Sequence, residues 1–550
     1  MGEDQLLTRR EFLGLASLMG GGVLLSGCGL SAEAPPITGA VLGQSHPLGH
    51  RLVQAGFPAP SRTVETGIVI VGGGIAGLTA GWKLLRSGFK DFKLLELEAE
   101  LGGNSRWGEN KVSRYPWAAH YIPFPRPESA AVHELLRDLG IETGRDREGR
   151  PVYDDKTVCF APQERLFIHG RWQEGIFPKL GATEEDVRQL HAFERMMAGY
   201  RNMRDSEGRR AFAIPMNLSS RRADLQQLDR VSMADWLKQN AFNSPRLRWY
   251  ADYACRDDFG TVVEETSAWA GIHYFASRGE GEEDQVLTWP EGNGFVASKL
   301  SRLLKEHLAN PLLAFDLEET PSGVAAHAWD PRRRESLRVS ARAAVVCVPV
   351  FLARRIVASM RRQDPAWAKA FAYAPWMVAN LTVDDPPAGK GFPPAWDNVI
   401  FNGEGLGYVV ATHQGLDRSI GSTVWTYYFP MPQGDPAKAR RAALSRSWSD
   451  WRDLILQDLS RAHPGISARV RNIDIMVFGH AMVKPLVGMM WGADRLAALK
   501  PLAGPGGRVF LGHSDLSGFS LFEEAQYHGV LAAQRAMARL GHPFRPSVQA

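Results

Sequence analysis

Residues 67–88 read GIVIVGGGIAGLTAGWKLLRSG: a β-branched apolar run, a glycine turn and a helix-forming stretch, in that order. Gly72, Gly74 and Gly77 set the spacing G-x-G-x-x-G between strand and helix. The first glycine allows the tight turn, the second lets backbone approach a pyrophosphate, and the third permits close helix–strand packing. Amides at the start of the helix then face the phosphates. The next strand, FKLLELE, contains Glu96, 24 residues after Gly72 and placed to accept hydrogen bonds from ribose hydroxyls. A carboxylate there disfavours a 2′-phosphate by charge repulsion. The pattern predicts a dinucleotide site but does not by itself separate NAD from FAD.

Further along, α/β and mixed segments interleave. Residues 131–285 read mostly as helix. Thr183 with Asp186 has capping-box spacing, and Ser244–Pro245 opens another helix. NGFVASKLSRLLKEHL is an amphipathic helix and ARAAVVCVPV a buried strand. MVANLTV, GYVVATH and STVWTYYF read as strands, and RVFLGHS followed by LFEEAQYHGVLAAQRAMARL as a closing strand and helix. The expected fold is therefore α/β. A Rossmann-like dinucleotide domain (66–130, 286–355 and 500–550) interleaves with a mixed-sheet plus helical substrate domain (131–285 and 356–499). Residues 29–65, rich in Pro, Gly and Ser and without periodicity, read as a tether.

After Glu96 comes LEAELGGNSRWG, with Gly102–Gly103 six residues beyond the acid. This resembles the FAD-binding fingerprint of the flavin-containing amine oxidase superfamily, which includes monoamine and polyamine oxidases, protoporphyrinogen oxidase and carotenoid desaturases. That family's motif usually reads Gly-Gly-Arg; here Asn104 holds the arginine position and Arg106 lies two further on. The resemblance implies FAD, with Gly103 and either Arg106 or the local backbone at the phosphates. RVFLGHSDLSGFSLFEEAQYHGVLAAQRAM resembles the family's closing segment. It implies Ser514, Asp515 and Phe522 beside the cofactor, with a helix N-terminus suited to negative charge on reduced flavin. TWPEGNGFVASKL and AAVVCVPVFLARRI are similar to the family's central segments. No cysteine follows Cys347, so a cysteine link to the flavin from the closing segment is excluded and FAD is expected to be non-covalent.

The same resemblance implies flavin-facing residues. In RYPWAAHYIPFP, Ala119–Ile122 is similar to the family's Gly-Ala-x-aromatic-Ile element, which implies His120 and Tyr121 at the flavin. Many amine oxidases keep a lysine near flavin N5; the corresponding stretch AYAPWMVANLTVDD has none, and Asn380 is its nearest polar residue. Leu521 and Phe522 stand where a substrate-cage tyrosine is usual. HAMVKPLVGMMW adds His480 and Lys484 as candidates, beside the plainer readings of a structural histidine and a surface lysine. CRDDFG reads as a helix-end ion-pair cluster or as an entrance for a cationic substrate. Glu282–Glu283–Asp284 reads as a solvated face.

The first residues speak to location. LTRREFLGLASLMGGGVLLSGCG pairs Arg9–Arg10 with a 14-residue apolar run from Phe12 to Leu25, too short for a membrane span. The arginine pair resembles the twin-arginine export motif and Leu25–Cys28 a bacterial lipobox. Residues 1–28 are thus expected to be an export signal. A lipid on Cys28 would be the membrane link, export machinery a partner and the periplasm the destination, unless the signal is simply cleaved. A route that carries folded proteins suits a chain that must load FAD in the cytoplasm. Composition excludes other classes. A net charge of +4 on 550 residues argues for no polyanionic partner. No nucleic-acid motif or internal repeat is present, and no Cys-x-x-Cys pair suggests a thiolate metal site. The expected function is hydride transfer from a small-molecule C–H, an amine or polyamine among the candidates, to flavin N5. The alternatives are a desaturase or dehydrogenase of a hydrophobic substrate with a non-oxygen acceptor, and a flavin-bearing structural or partner-binding lipoprotein.

Overall fold

The strand that opens the glycine motif, Pro60–Val71, is exposed along its first half and wholly buried from Ile68 onward. Its apolar end is flanked by parallel neighbours on both sides: Phe92–Leu95 on one and Glu335–Val346 on the other. Burial on both faces of a parallel sheet is what a continuous Ile-Val-Ile-Val run encodes. A computed structural model describes residues 36–43, 45–54, 56–279, 285–415, 421–502 and 506–549. Arg9, Arg10, Cys28 and the Glu282–Asp284 cluster lie outside the described residues. The elements below belong to the unit Thr38–Ala550.

The first sheet has seven strands in the order Leu308–Ala309, Phe92–Leu95, Pro60–Val71, Glu335–Val346, Gly323–Asp330, Leu313–Thr320, with Val509–Leu511 also beside Glu335–Val346. Glu335–Val346 changes partner half-way: up to Ala341 it pairs antiparallel with Gly323–Asp330, and from Ala344 it pairs parallel with Val509–Leu511. One face packs on the helices Ile75–Arg86, Gly294–Leu303 and Phe522–Arg539. Gly77 is required where the first of these helices meets the turn, since a Cβ there would lie 1.8 Å from the Gly72 carbonyl oxygen.

The second sheet has eight strands, in the order Val41–Leu42, Val470–Val483, Tyr373–Asp384, Ser422–Pro430, Gly407–Val410, Asp397–Ile400, Glu164–Ile168, Arg171–Glu174. It is antiparallel except at the pairs Val41–Leu42 with Val470–Val483 and Glu164–Ile168 with Asp397–Ile400. The helices Glu184–Asn202, Met233–Gln239, Pro245–Phe259 and Ala268–Ala276 form a third core of their own. The expected caps are present: Thr183 and Asp186 make a reciprocal capping box, and the Ser244 hydroxyl accepts from Leu247 N–H one residue before Pro245.

The predicted tether is corrected from Thr38 onward. Thr38 N–H donates to the Arg471 carbonyl at 3.0 Å, Val41–Leu42 joins the second sheet as its edge strand, and Pro60 already begins the central strand of the first. Composition hid this because the order comes from distant partners and not from local periodicity. Gly39 at φ +143° is needed here: a Cβ would sit 2.0 Å from the Ile473 carbonyl oxygen.

Candidate active site

The ends of the parallel strands open onto a cavity of 370 Å³, walled by the glycine turn, the Gly102–Ser105 loop, the Cys347–Pro349 turn and the His513–Asp515 turn. Ligands in open α/β sheets bind at this edge. Gly72 at φ +104° makes the turn, and at Gly74 an added Cβ would meet nothing closer than 3.9 Å, so the helix start faces open space. Glu96 follows the second strand. Its Oε2 accepts from Gly73 N–H at 2.6 Å and its Oε1 from Glu98 N–H at 2.7 Å, while burial raises its pKa. Each oxygen has lone-pair capacity left for a ribose hydroxyl. Gly103, Ser514, Asp515 and Phe522 also line this cavity. Asp515 is held by His513, by Val350 N–H at 2.8 Å and by the Tyr373 hydroxyl at 2.5 Å; these partners keep its pKa low despite burial.

A smaller chamber of 120 Å³ adjoins it and shares six walls with it: Asn104, Ala119, Ala481, Ser520, Leu521 and Phe522. His120 and Tyr121 line this chamber. The His120 imidazole donates from Nδ1 to the Ala118 carbonyl at 3.2 Å in the tautomer that satisfies both groups, and burial holds its pKa down at about 4. It is neutral at pH 7, with Nε2 as an acceptor. Tyr428 and Trp396 pack on it, with ring centroids 4.8 and 5.3 Å away.

Acids complete the chamber. Glu523, the second residue of the closing helix, is only 3% exposed, and burial pushes its pKa to about 7. Asp257 on the helix Pro245–Phe259 is likewise pushed to about 7 by burial and by the neighbouring Asp258. Arg278, the one arginine among the described residues of the chamber, donates from Nη2 to both oxygens of Asp258 at 2.8 and 2.6 Å. Past Asp257 and Tyr121 a vestibule of 790 Å³ carries Glu164 and Asp397, the latter raised far above the usual carboxylate range by burial, Asp257 and Glu164.

Four residues singled out in the sequence stand outside the chamber, which corrects the expected places of Asn380, Arg106 and Lys484 and leaves His480 to its structural reading. Asn380 does not reach either cavity: it is buried in the second sheet, its amide donating to the Pro116 carbonyl at 3.1 Å and accepting from the Thr426 hydroxyl at 2.7 Å. The same strand meets the chamber through Trp376 and Val378. Arg106 is turned from the cofactor cavity, its guanidinium 3.5 Å from the Glu98 carboxylate and 3.3 Å from the Met476 sulfur. His480 lines the cofactor cavity and not the chamber; it stacks on Phe351 at 4.1 Å, and burial lowers its pKa to about 4. Lys484 is buried in an ion pair with Glu265 and a bond to the Pro432 carbonyl. CRDDFG divides between both of its readings, Asp258 pairing with Arg278 and Asp257 facing the chamber. Asp397 and Tyr428 were missed, since each sits on a strand with no motif around it. Glu523 was seen only as the start of a helix. Among the described residues no cluster of His, Cys, Asp and Glu could hold a metal ion, and no helix is long and apolar enough to cross a membrane.

With this geometry in hand, known structures place the architecture. Putrescine oxidase, solved as wild type with putrescine bound, superposes with a TM-score of 0.62 over 87% of this chain and 100% of its own, at 14% identity. The chain has the fold of putrescine oxidase. Cyclohexylamine oxidase from Brevibacterium oxydans IH-35A follows at a TM-score of 0.60 and 15% identity, over 87% of this chain and 100% of its own. A fatty acid isomerase from P. acnes gives 0.57 at 14% identity, over 86% and 98%. The family model of NAD(P)-binding Rossmann-like domains matches residues 70–139. A Baeyer-Villiger monooxygenase of Penicillium patulum is 41% identical over 90 residues, 16% of this chain and 13% of its own. One from Dietzia sp. (strain D5) is 28% identical over 123 residues, 21% of this chain and 18% of its own. This chain thus spans less than a fifth of the length of either monooxygenase.

Proposed function

We propose that the protein is an exported FAD-dependent oxidoreductase that takes hydride from a C–H beside the nitrogen of a cationic amine. The observation that carries this reading is the junction of the two cavities. A nucleotide-sized site with a ribose-ready acid shares its wall with a chamber whose acids, Asp257 and Glu523, outnumber its single, already paired arginine. The residues fit the cofactor: Gly74 leaves room for a pyrophosphate, and Glu96 keeps acceptor capacity. Bound FAD would supply the two-electron acceptor; the chain supplies the rest. Asp257 and Glu523, which titrate near pH 7, draw an ammonium inward from the vestibule. Tyr121, Tyr428 and Trp376 exclude water around it and present aromatic faces that favour a cation. An amine gives up hydride only as the free base; Asp257 or Glu523, each titrating near pH 7, takes its proton as a carboxylate, while neutral His120 offers Nε2 as a hydrogen-bond acceptor. Both amine-named structural neighbours support this choice over a hydrophobic substrate, as does the charge of the chamber.

The test is a panel of mono- and diamines mixed without oxygen with the purified yellow protein. Bleaching of the flavin absorbance by diamines, slowed more than tenfold in Asp257→Asn, is the expected outcome. A panel in which no amine bleaches the flavin while a neutral apolar substrate does would overturn it.

A further inference from the structure

Among the described residues, no arginine and no lysine lines the cofactor cavity. Two phosphates therefore need neutral or imidazole donors beyond the backbone amides of one helix start. Asn104 stands where the resembling family keeps arginine, and its amide is used on the Ala481 carbonyl at 2.7 Å. Arg106 is committed to Glu98. Of the histidines that wall the cavity, His480 is stacked on Phe351 and His513 is bonded to Asp515. The other two, His46 and His50, come from the segment that the sequence marks as a tether. Their rings meet edge to face at 5.7 Å, and neither imidazole has a hydrogen-bond partner among the described residues.

That segment is fastened at three points. Thr38 bridges to Asn472 and Val41–Leu42 is the edge strand of the second sheet, with Ile473 N–H donating to the Thr38 carbonyl at 2.8 Å and Ile475 N–H to the Ala40 carbonyl at 2.9 Å. Ser45 donates to the Glu98 carboxylate through its backbone N–H at 2.7 Å and its hydroxyl at 2.9 Å, beside the ribose acid Glu96. Beyond the cavity, the Arg51 guanidinium lies 4.5 Å over the Trp329 ring, and Phe57 stacks on Phe315 at 4.1 Å, both on the first sheet. Between the fastenings, Ser45, His46, Gly49, His50 and Leu52 form one wall of the cavity.

We infer that the described residues 38–43 and 45–54 are a clasp over the bound dinucleotide, with His46 and His50 donating hydrogen bonds to its phosphate oxygens in place of the missing arginine. This rests on the FAD reading above. A clasp tied to both sheets must release at one end before a dinucleotide can leave, so it governs retention more than chemistry.

The experiment follows FAD release by the rise in flavin fluorescence after dilution of the full-length protein. His46→Ala/His50→Ala should release FAD at least about tenfold faster than the parent, a loss of roughly one decade in affinity. His46→Gln/His50→Gln should recover part of the retention, since an amide also donates. Hydrogen exchange of peptides spanning 38–54 should be slower in FAD-loaded than in stripped protein. Release from the alanine pair at the parent rate, or exchange indifferent to FAD, overturns the clasp while leaving the FAD reading in place. A parent protein that retains no FAD overturns both.

Discussion

A carboxylate that titrates near neutrality is tuned by what surrounds it, and Glu523 and Asp257 are both in that state. In the unfolded chain such groups ionise near pH 4. With a folded pKa of about 7, Glu523 carries in the native protein a proton that the unfolded chain has already lost. Its stabilising contribution is full below the unfolded pKa and is lost as pH rises through the folded one. Glu523→Gln keeps the shape and removes the titration. Its melting temperature, in the same cofactor state as the parent, should therefore rise relative to the parent between about pH 5 and about pH 8. The gain at the upper end should be on the order of 2–3 kcal/mol. A difference that stays flat across that range would show that burial is not what raises this acid. The residues also show where sequence reading succeeds. Gly72, Gly74, Gly77 and Glu96 were legible because one turn and one neighbouring strand contain all of their constraints. Asp257 was half legible, inside CRDDFG; Asp397 and Glu523 were not, because each is an ordinary acid in its own segment and becomes a wall of the vestibule or of the chamber only when distant segments meet. Asn380 was misplaced by a small distance along a strand. It shares a face with Trp376 and Val378 by the two-residue repeat, but Pro116 covers it.

Among the elements, the helix pair Ile75–Arg86 and Phe522–Arg539 sets how the cofactor cavity closes. The two approach so closely that a Cβ on Gly529 would lie 2.1 Å from the Ala76 carbonyl oxygen. Ile75 and Ala76 from one helix and Phe522 and Ala525 from the other line the cavity. Gly529→Ala tests two opposed effects. In an isolated helix interior alanine is better than glycine by about 1 kcal/mol. Here overpacking dominates and should cost about 1–3 kcal/mol net, read as a lower denaturation midpoint of stripped protein with an unchanged slope. FAD retention should fall with it. A midpoint at or above that of the parent would mean that the helices separate freely. Both helices were legible from their periodicity. Their closeness was visible only as glycines and alanines without an assigned partner. The edge strand Val41–Leu42 was illegible for the same reason, because its register is supplied by Val470–Val483 and not by its own sequence.

For the whole molecule, the export reading is tested by two changes. Replacing Arg9–Arg10 with a lysine pair should leave folded, FAD-loaded precursor in the cytoplasm, and Cys28→Ser should move exported protein from the membrane to the soluble fraction. Precursor that is still exported, or a serine variant that still fractionates with membranes, would contradict the corresponding half. The interleaving of the two sheets has a further consequence, for synthesis. The strand Pro60–Val71 leaves the ribosome early and can pair at once with Phe92–Leu95. Its other flank must wait for Glu335–Val346, and that strand in turn waits for Val509–Leu511. At roughly 5–20 residues per second the interval from the first wall of the cofactor cavity to the last is on the order of half a minute or more. Throughout it, the buried run Ile68–Val71 is a half-paired apolar edge that invites other strands. No shorter nascent chain owns a complete nucleotide site, so riboflavin status cannot rescue early intermediates. Until the closing helix emerges, the growing chain keeps that edge open to whatever strand or surface meets it first.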